Sequence, residues 1–479
     1  MSRLLRAAKQ VPLGGAVLLA LTPLATVLQR FLRALLHTFP RAAAAVALLF
    51  AAQQAAAILP IEHWQTASGA KVLFVANRDL PMLDISVDFP AGSGYDTAEK
   101  SGVAAMTNGL LRLGAGGLSE DEIARRFADV GAALGGRFDS DRAGISLRTL
   151  SDSKRRAQAL DVFARVLHAP EFPAAVLERE KVRQIGALKE ADLKPDIQAG
   201  RAFYRMLYGA HPYALRSVGD VDTVGRMARD DLRAFYRDHY VADRAVVAIM
   251  GDVSRTEAAA IAEQVTRGLP RAGGAVPALP PVASLNSGVT RMIAHPAAQS
   301  HILMGAPGIR RDDPDYFTLF VGNHILGGGG FVSRINNEVR QKRGLAYSAY
   351  SYFSPLRARG PFVIGMQTRR DQATEALAVV RKTLADFITT GPTEEELRAA
   401  KQNIVGGFPM RIDSNRKIHE YLGVIGFYGL PLSYLEDFVG NVERVTVADI
   451  KAAFARHVDP AKLVTVVAGA DKDQTITAP

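Results

Sequence analysis

The 479-residue sequence has no cysteine. That excludes disulfides, thiolate metal sites and a cysteine nucleophile. Acidic residues are missing from positions 1–57, which hold six basic ones (Arg3, Arg6, Lys9, Arg30, Arg33 and Arg41) and so supply most of the net charge of +10. The remainder carries 52 basic against 48 acidic residues, a weak field over a large surface. Basic clusters with interleaved aromatics are also lacking, which argues against nucleic acid as a partner. Low-complexity tracts are confined to the first sixty residues. What remains is globular in composition, 48% hydrophobic and 22% charged, and too long for one core.

Two apolar runs lie at the N-terminus: "VPLGGAVLLALTPLATVL" (11–28) and "AAAAVALLFAA" (42–52). The second follows three arginines and precedes "QQAAA". This is a signal-peptide layout, with small residues at −3 and −1 of a cleavage expected after Ala57. Its eleven residues are too few to cross a bilayer. The first run is uncharged but is weakened by Pro12, Pro23 and paired glycines. The expectation is an export or membrane segment over 1–57, a periplasmic destination, and association with the inner membrane through the N-terminus if it is retained.

Beyond it, "KVLFVAN" (71–77) and the alternating "LDISVDF" (83–89) predict strands, and a helix is expected over 100–113. "SEDEIARRFADVGAAL" (119–134) opens as a capping box, with Ser119 and, three positions on, Glu122. The Pro/Gly/Ala-rich stretch 269–288 predicts a linker. The segments either side of it match in order: "VGDVDTV" (218–224) with "VGNVERV" (439–445), and "DLRAFYRDHYVADRAVVAIMGDV" (231–253) with "DIKAAFARHVDPAKLVTVVAGAD" (449–471). Collinear matches imply duplication. The reading is α+β: two tandem homologous domains, 58–268 and 289–479, each a mixed or antiparallel sheet with helices packed on it.

Five segments carry a resemblance: "SGVAAMTNGLL", "YGAHPYALRSVGDVDTV", "FYRDHYVADRAVVAIMGDV", "NHILGGGGFVSRINNEVRQKRGLAYSAYSYF" and "ELRAAKQNIVGGFPMRIDSNRK". Together they resemble the pitrilysin/insulinase zinc peptidases, with the LuxS- and processing-peptidase-like domain fold that implies. Active members carry H-x-x-E-H on the first long helix: two histidines bind zinc and the glutamate activates water. The alignment places Ala105 and Gly109 at the histidine positions and Asn108 at the glutamate. The third ligand is expected near Gly186 or Ala187. None of these binds metal, and an amide is a poor general base. Glu190 is nearby but one turn out of register. No histidine pair in the chain forms H-x-x-E-H or H-E-x-x-H. His239 and His457 occupy equivalent places in the two repeats, which points to a structural role.

The resemblance also implies a role for Arg340 and Tyr347 in "VRQKRGLAYSAY". The family's arginine–tyrosine pair reaches the zinc site from the second half of the clamshell, in cis or from a partner subunit. Arg343 competes for the arginine role. "LGGGG" (326–330) lacks the Lys-Ser/Thr of a phosphate loop and is expected to be a flexible connection. The implied function is a non-catalytic subunit forming half of a clamshell. This chain binds no cofactor, and zinc sits in an H-x-x-E-H partner that cuts peptide substrates. A second reading is a peptide- or protein-binding scaffold. A third is an autonomous enzyme with a metal moved to Glu190.

Overall fold

In "LDISVDF" the apolar residues Leu83, Ile85, Val87 and Phe89 alternate with Asp84, Ser86 and Asp88, a pattern that predicts one dry and one wet face. The computed structural model, which describes residues 60–271 and 275–470, makes this segment a central strand with both faces buried. The expected N-terminal segment 1–57 lies outside the described residues.

The first sheet contains β1 (Glu62–Gln65), β2 (Lys71–Ala76), β3 (Met82–Phe89), β4 (Ala133–Phe138), β5 (Ala143–Leu150) and β6 (Val246–Gly251), in the order β1-β2-β6-β3-β5-β4. The second contains β7 (Val289–Ala294), β8 (Gln299–Pro307), β9 (Ala346–Phe353), β10 (Pro361–Arg369) and β11 (Val464–Ala470), in the order β7-β11-β8-β10-β9. Each is antiparallel apart from one parallel pair, β2 with β6 and β7 with β11. Lys71 pairs with Val246, and 218 residues later Val289 pairs with Val464. The repeat seen in the sequence is thus a repeat of topology, with β1 added to the first copy.

The helices of the first half are α1 (Val103–Leu110), α2 (Glu120–Asp129), α3 (Ser153–His168), α4 (Ala174–Ala191), α5 (Pro195–Tyr208), α6 (Val221–Arg226), α7 (Arg229–His239) and α8 (Arg255–Thr266). Those of the second are α9 (Tyr316–Asn323), α10 (Arg334–Asn336), α11 (Ala373–Thr390), α12 (Glu394–Gly407), α13 (Asn415–Tyr428), α14 (Tyr434–Arg444) and α15 (Val447–His457). α3, α4 and α5 recur as α11, α12 and α13, each 220 residues on. The capping box at Ser119 forms as expected, but α2 ends at Asp129 rather than at 134. Gly131 takes φ +64°, which breaks the helix, and Ala133 opens β4.

The two halves exchange helices. α5, from the first half, packs on β8 and β11, while α13, from the second, covers β2, β3 and β6. Close approach of α13 requires glycine: a Cβ at Gly426 would lie 2.6 Å from Leu73 Cδ1 and from Val246 Cγ1, and one at Gly423 would lie 3.0 Å from Asp88 Oδ2. Between sheet and helix lies a polar layer. Arg148 grips Asp84 through two bonds of 2.7 and 2.9 Å, and Arg137 Nε stands 3.4 Å from Asp88 Oδ1. Burial pushes the Asp88 carboxyl up, against the pull of Arg137 and Arg142.

At the seam, fully buried Asp141 accepts bonds from the phenols of Tyr213 and Tyr428 (2.8 Å for Tyr428) and from the backbone N–H of Arg357 at 2.7 Å. One carboxylate thus joins groups from both halves.

His419 of α13 is buried, with Nε2 3.3 Å from the carbonyl of Ala248. Burial lowers its pKa to about 4 from 6.5; Asp84 opposes the shift and Arg137 and Arg148 add to it. The folded pKa lies below the unfolded one, so the unfolded chain takes up this proton first. The stability it protects is present above pH 6.5 and is lost as pH falls towards 4. Between pH 7 and 4, wild type is expected to lose on the order of 3 kcal/mol more than His419→Gln in urea titrations. Equal losses would show that His419 does not titrate there.

Candidate functional site

α1 is set by a residue well before it. Asp96 Oδ2 accepts from Gly102 N–H at 2.7 Å and Oδ1 from Ala104 N–H at 2.9 Å, so one carboxylate caps the helix. Burial pushes the Asp96 carboxyl up to about 7 although both N–H bonds oppose it. Gly102 is obligatory here: its φ is +91° and a Cβ would sit 2.7 Å from Gly219 Cα.

So anchored, α1 presents Ala105 and Gly109 to a cavity of about 340 Å³. Glu180, Arg183 and Gln184 of α4 form the opposite wall, with Arg112 and Glu120 at the rim. A Cβ at Gly109 would meet nothing within 4 Å, so the cavity has room for a larger side chain that the sequence does not supply. The α4 residues that face it are Glu180 and Gln184, one turn apart, instead of Gly186 or Ala187, which are exposed. Glu190 is exposed too and pairs with Lys194 at 3.1 Å.

Glu180 is the one buried carboxylate of this cavity, and guanidinium groups already hold it. Arg183 reaches Oε2 at 2.6 Å, Arg179 reaches Oε1 at 3.1 Å, and Arg179 continues to Glu120 at 2.7 Å. Burial raises the Glu180 pKa, but the bonds from Arg183 and Arg179 outweigh it and hold the carboxyl below its ordinary value. A zinc ion does not fit this donor set. Neither Ala105 nor Gly109 offers a ligand atom, and the single carboxylate is neutralised by fixed cations. Among the described residues, the one group of three potential ligands is Asp313, Asp315 and His457, in the second half. There Arg456 bonds both oxygens of Asp315, at 2.8 and 2.7 Å, and His457 Nε2 lies 2.8 Å from Asp315 Oδ2. The equivalent His239 has no carboxylate; it stacks on Phe235 with ring centroids 4.3 Å apart.

Asn108 is a structural bridge. Its Nδ2 donates to the Gly144 carbonyl at 3.0 Å and to the Tyr240 hydroxyl at 3.2 Å, which ties α1 to β5 and to the end of α7. An aspartate at this position would present two acceptors to a carbonyl. Asn108→Asp is expected to destabilise by about 2 kcal/mol at pH 8. The new carboxyl would have a raised folded pKa, so its penalty fades as pH falls through that raised value and is gone below the unfolded value of the group. A chemical-denaturation series at pH 8 and pH 4 checks this; a penalty of the same size at both would refute it.

Arg340 and Tyr347 do come together. Arg340 Cζ lies 4.7 Å from the Tyr347 ring centroid and 4.6 Å from that of Phe331. Both rings are largely exposed, Tyr347 at 82% and Phe331 at 62%. Arg343 is the structural arginine, bonded to Glu338 Oε2 at 2.7 Å and to the Glu338 carbonyl at 2.8 Å. The pair is not joined to the α1 cavity, whose lining residues all belong to the first half. "LGGGG" is not a loose connection. Residues His324–Gly328 form a π-helical turn pressed on β9, and a Cβ at Gly327 would collide with Ser351.

Sequence reasoning had no means to find Asp96, whose role depends on the turn that returns it to α1. Glu180 and Gln184, an i, i+4 pair, were passed over in favour of Gly186 and Ala187. Phe331 was hidden in a glycine-rich run.

The family "Insulinase (Peptidase family M16)" matches residues 71–216, and "Peptidase M16 inactive domain" matches 226–404. The chain is 25% identical over 411 residues to the non-peptidase homolog YmxG of Helicobacter pylori, covering 84% of this chain and 93% of that protein. It is 25% identical over 354 residues to the uncharacterized zinc protease YmxG of Bacillus subtilis, covering 74% and 85%. A crystal structure of a peptidase M16 inactive domain from Pseudomonas fluorescens superposes with a TM-score of 0.83 at 41% identity, covering 87% of this chain and 99% of that one. The chain belongs to the insulinase family of peptidases, family M16, as a two-domain member.

Proposed function

We propose that this chain is the non-catalytic subunit of a two-chain zinc peptidase of the periplasm. The partner carries H-x-x-E-H and the zinc; this chain supplies Arg340, Tyr347 and half of the chamber. The observation that carries the reading is the state of Arg340. It has no carboxylate partner among the described residues, and two exposed rings hold its guanidinium at the surface. A guanidinium fixed in this way is ready to grip peptide carbonyls, and the adjacent phenol to donate to a developing oxyanion. Neither group lines the cavity beside α1. β4 and β9 are sheet edges, against which an extended peptide substrate can add as a strand.

The test is reconstitution. This chain alone is expected to bind no stoichiometric zinc and to cut no peptide. Mixed with an M16 chain bearing H-x-x-E-H, it should co-elute, and hydrolysis should require both. A partner that is fully active alone and unaffected by mixing would sink the proposal. The scaffold reading rests on the same exposed aromatic surface; co-elution with peptide binding but without hydrolysis would favour it.

A further inference from the structure

A second cavity lies at the seam between the halves and shares no residue with the one beside α1. It measures about 300 Å³ and is enclosed by the start of β6, the loop after β8, Arg357 and the C-terminal end of α13. Five cationic side chains line it against two carboxylates, Asp243 and Asp312. Arg310 is already paired with Asp312 at 2.9 Å. Asp243 and Arg244 are each engaged in interactions of their own. Lys71, Arg311 and Arg357 have no carboxylate salt bridge among the described residues, and Nε of Arg357 is buried without a hydrogen-bond partner.

Two of these cations are held in place. Arg357 Cζ lies 4.8 Å from the Phe427 ring and Arg311 Cζ 4.7 Å from the Tyr316 ring. The backbone of Arg311 is fixed by its N–H bond of 2.8 Å to the Leu356 carbonyl. Stacking of this kind removes rotamer freedom before a ligand arrives. Besides the Asp243 carboxylate in the lining, two features oppose an anion. One is the carbonyl end of α13, but the N–H groups of Gly429 and Leu430 both bond Ile425 O, and Arg357 Nη2 is 3.5 Å from Phe427 O. The other is Asp141, already shared by two phenols and a backbone N–H.

From this geometry we infer a binding site for a small anion of the phosphate class, held by Lys71 from the first half and by Arg311 and Arg357 from the second. The volume accommodates a phosphate group with room for a small organic substituent, and the three cations without a salt bridge disfavour a cation there. Bound anion would bridge the two halves.

The test is calorimetric titration of the purified chain with inorganic phosphate, at constant ionic strength set with chloride. Saturable binding is expected, weakened about 10-fold by Lys71→Gln and by Arg311→Gln. Lys71 is exposed, so its variant stays informative if Arg311→Gln fails to fold. Lys189→Gln, on the exposed face of α4, should bind as wild type does. Parallel titrations with glycerol phosphate and with succinate identify the source of the anion. Tighter binding of either phosphate compound supports the site, and tighter binding of succinate overturns the phosphate assignment. Absence of saturable heat, or Lys71→Gln binding as tightly as wild type, overturns the site altogether.

Discussion

Asp141→Ala is expected to lower the unfolding free energy by about 3–5 kcal/mol. The carboxylate is fully buried and accepts from Tyr213, Tyr428 and the Arg357 N–H. Truncation orphans all three donors in a place that water does not reach, and each orphan costs roughly 1–3 kcal/mol. The donors come from both halves, so the loss should appear as one cooperative transition at lower urea, with no separate unfolding of one half. Tyr428→Phe removes one donor and leaves the acceptor two, so its cost should be nearer 1 kcal/mol. A loss below about 1 kcal/mol for Asp141→Ala would mean that the seam is held by helix packing alone and that this network is incidental.

Tyr347→Phe in the reconstituted pair is expected to slow turnover about 100-fold, close to 2.7 kcal/mol of transition-state stabilisation. The phenol lies open to solvent beside Arg340 and anchors no core, so stability should not change. KM should stay nearly constant, because the hydroxyl acts on the oxyanion and not on the bound peptide. Arg340→Ala should raise KM as well, since a fork of donors to peptide carbonyls is lost. Turnover indifferent to both changes would refute the shared-site mechanism while leaving the family and fold intact.

Most of the architecture was legible. Duplication showed as collinear matches, and helix starts showed as Ser119 with Glu122. Strand alternation marked β3. Ala105 and Gly109, singled out in the sequence, line one cavity, while Asn108 turns to β5 and Tyr240. What could not be read was long-range. β4 hides in "ALGGRF", whose glycines suppress any strand signal. The exchange of α5 and α13 leaves no local trace, since each helix shows an ordinary amphipathic pattern whichever sheet it meets. The same exchange explains why Asp84, Ser86 and Asp88 looked solvent-facing and are buried. The identity of the α4 residues opposite α1 required the packing of two helices far apart in sequence. Sequence alone left Arg340 and Arg343 open; that one stacks on two rings while the other bonds Glu338 is a matter of packing no local pattern announces.

The helix exchange also sets an order on synthesis. β1 to β6 can assemble once residue 251 has emerged, but the helix that roofs them, Asn415–Tyr428, follows only after all the second sheet's strands except the last. During that interval one face of a finished sheet stands open. An apolar face would invite other nascent chains to stick. The charged and hydroxyl groups of Asp84, Ser86 and Asp88 let the sheet wait in water, and the arginines from β4 and β5 then balance them once the roof arrives.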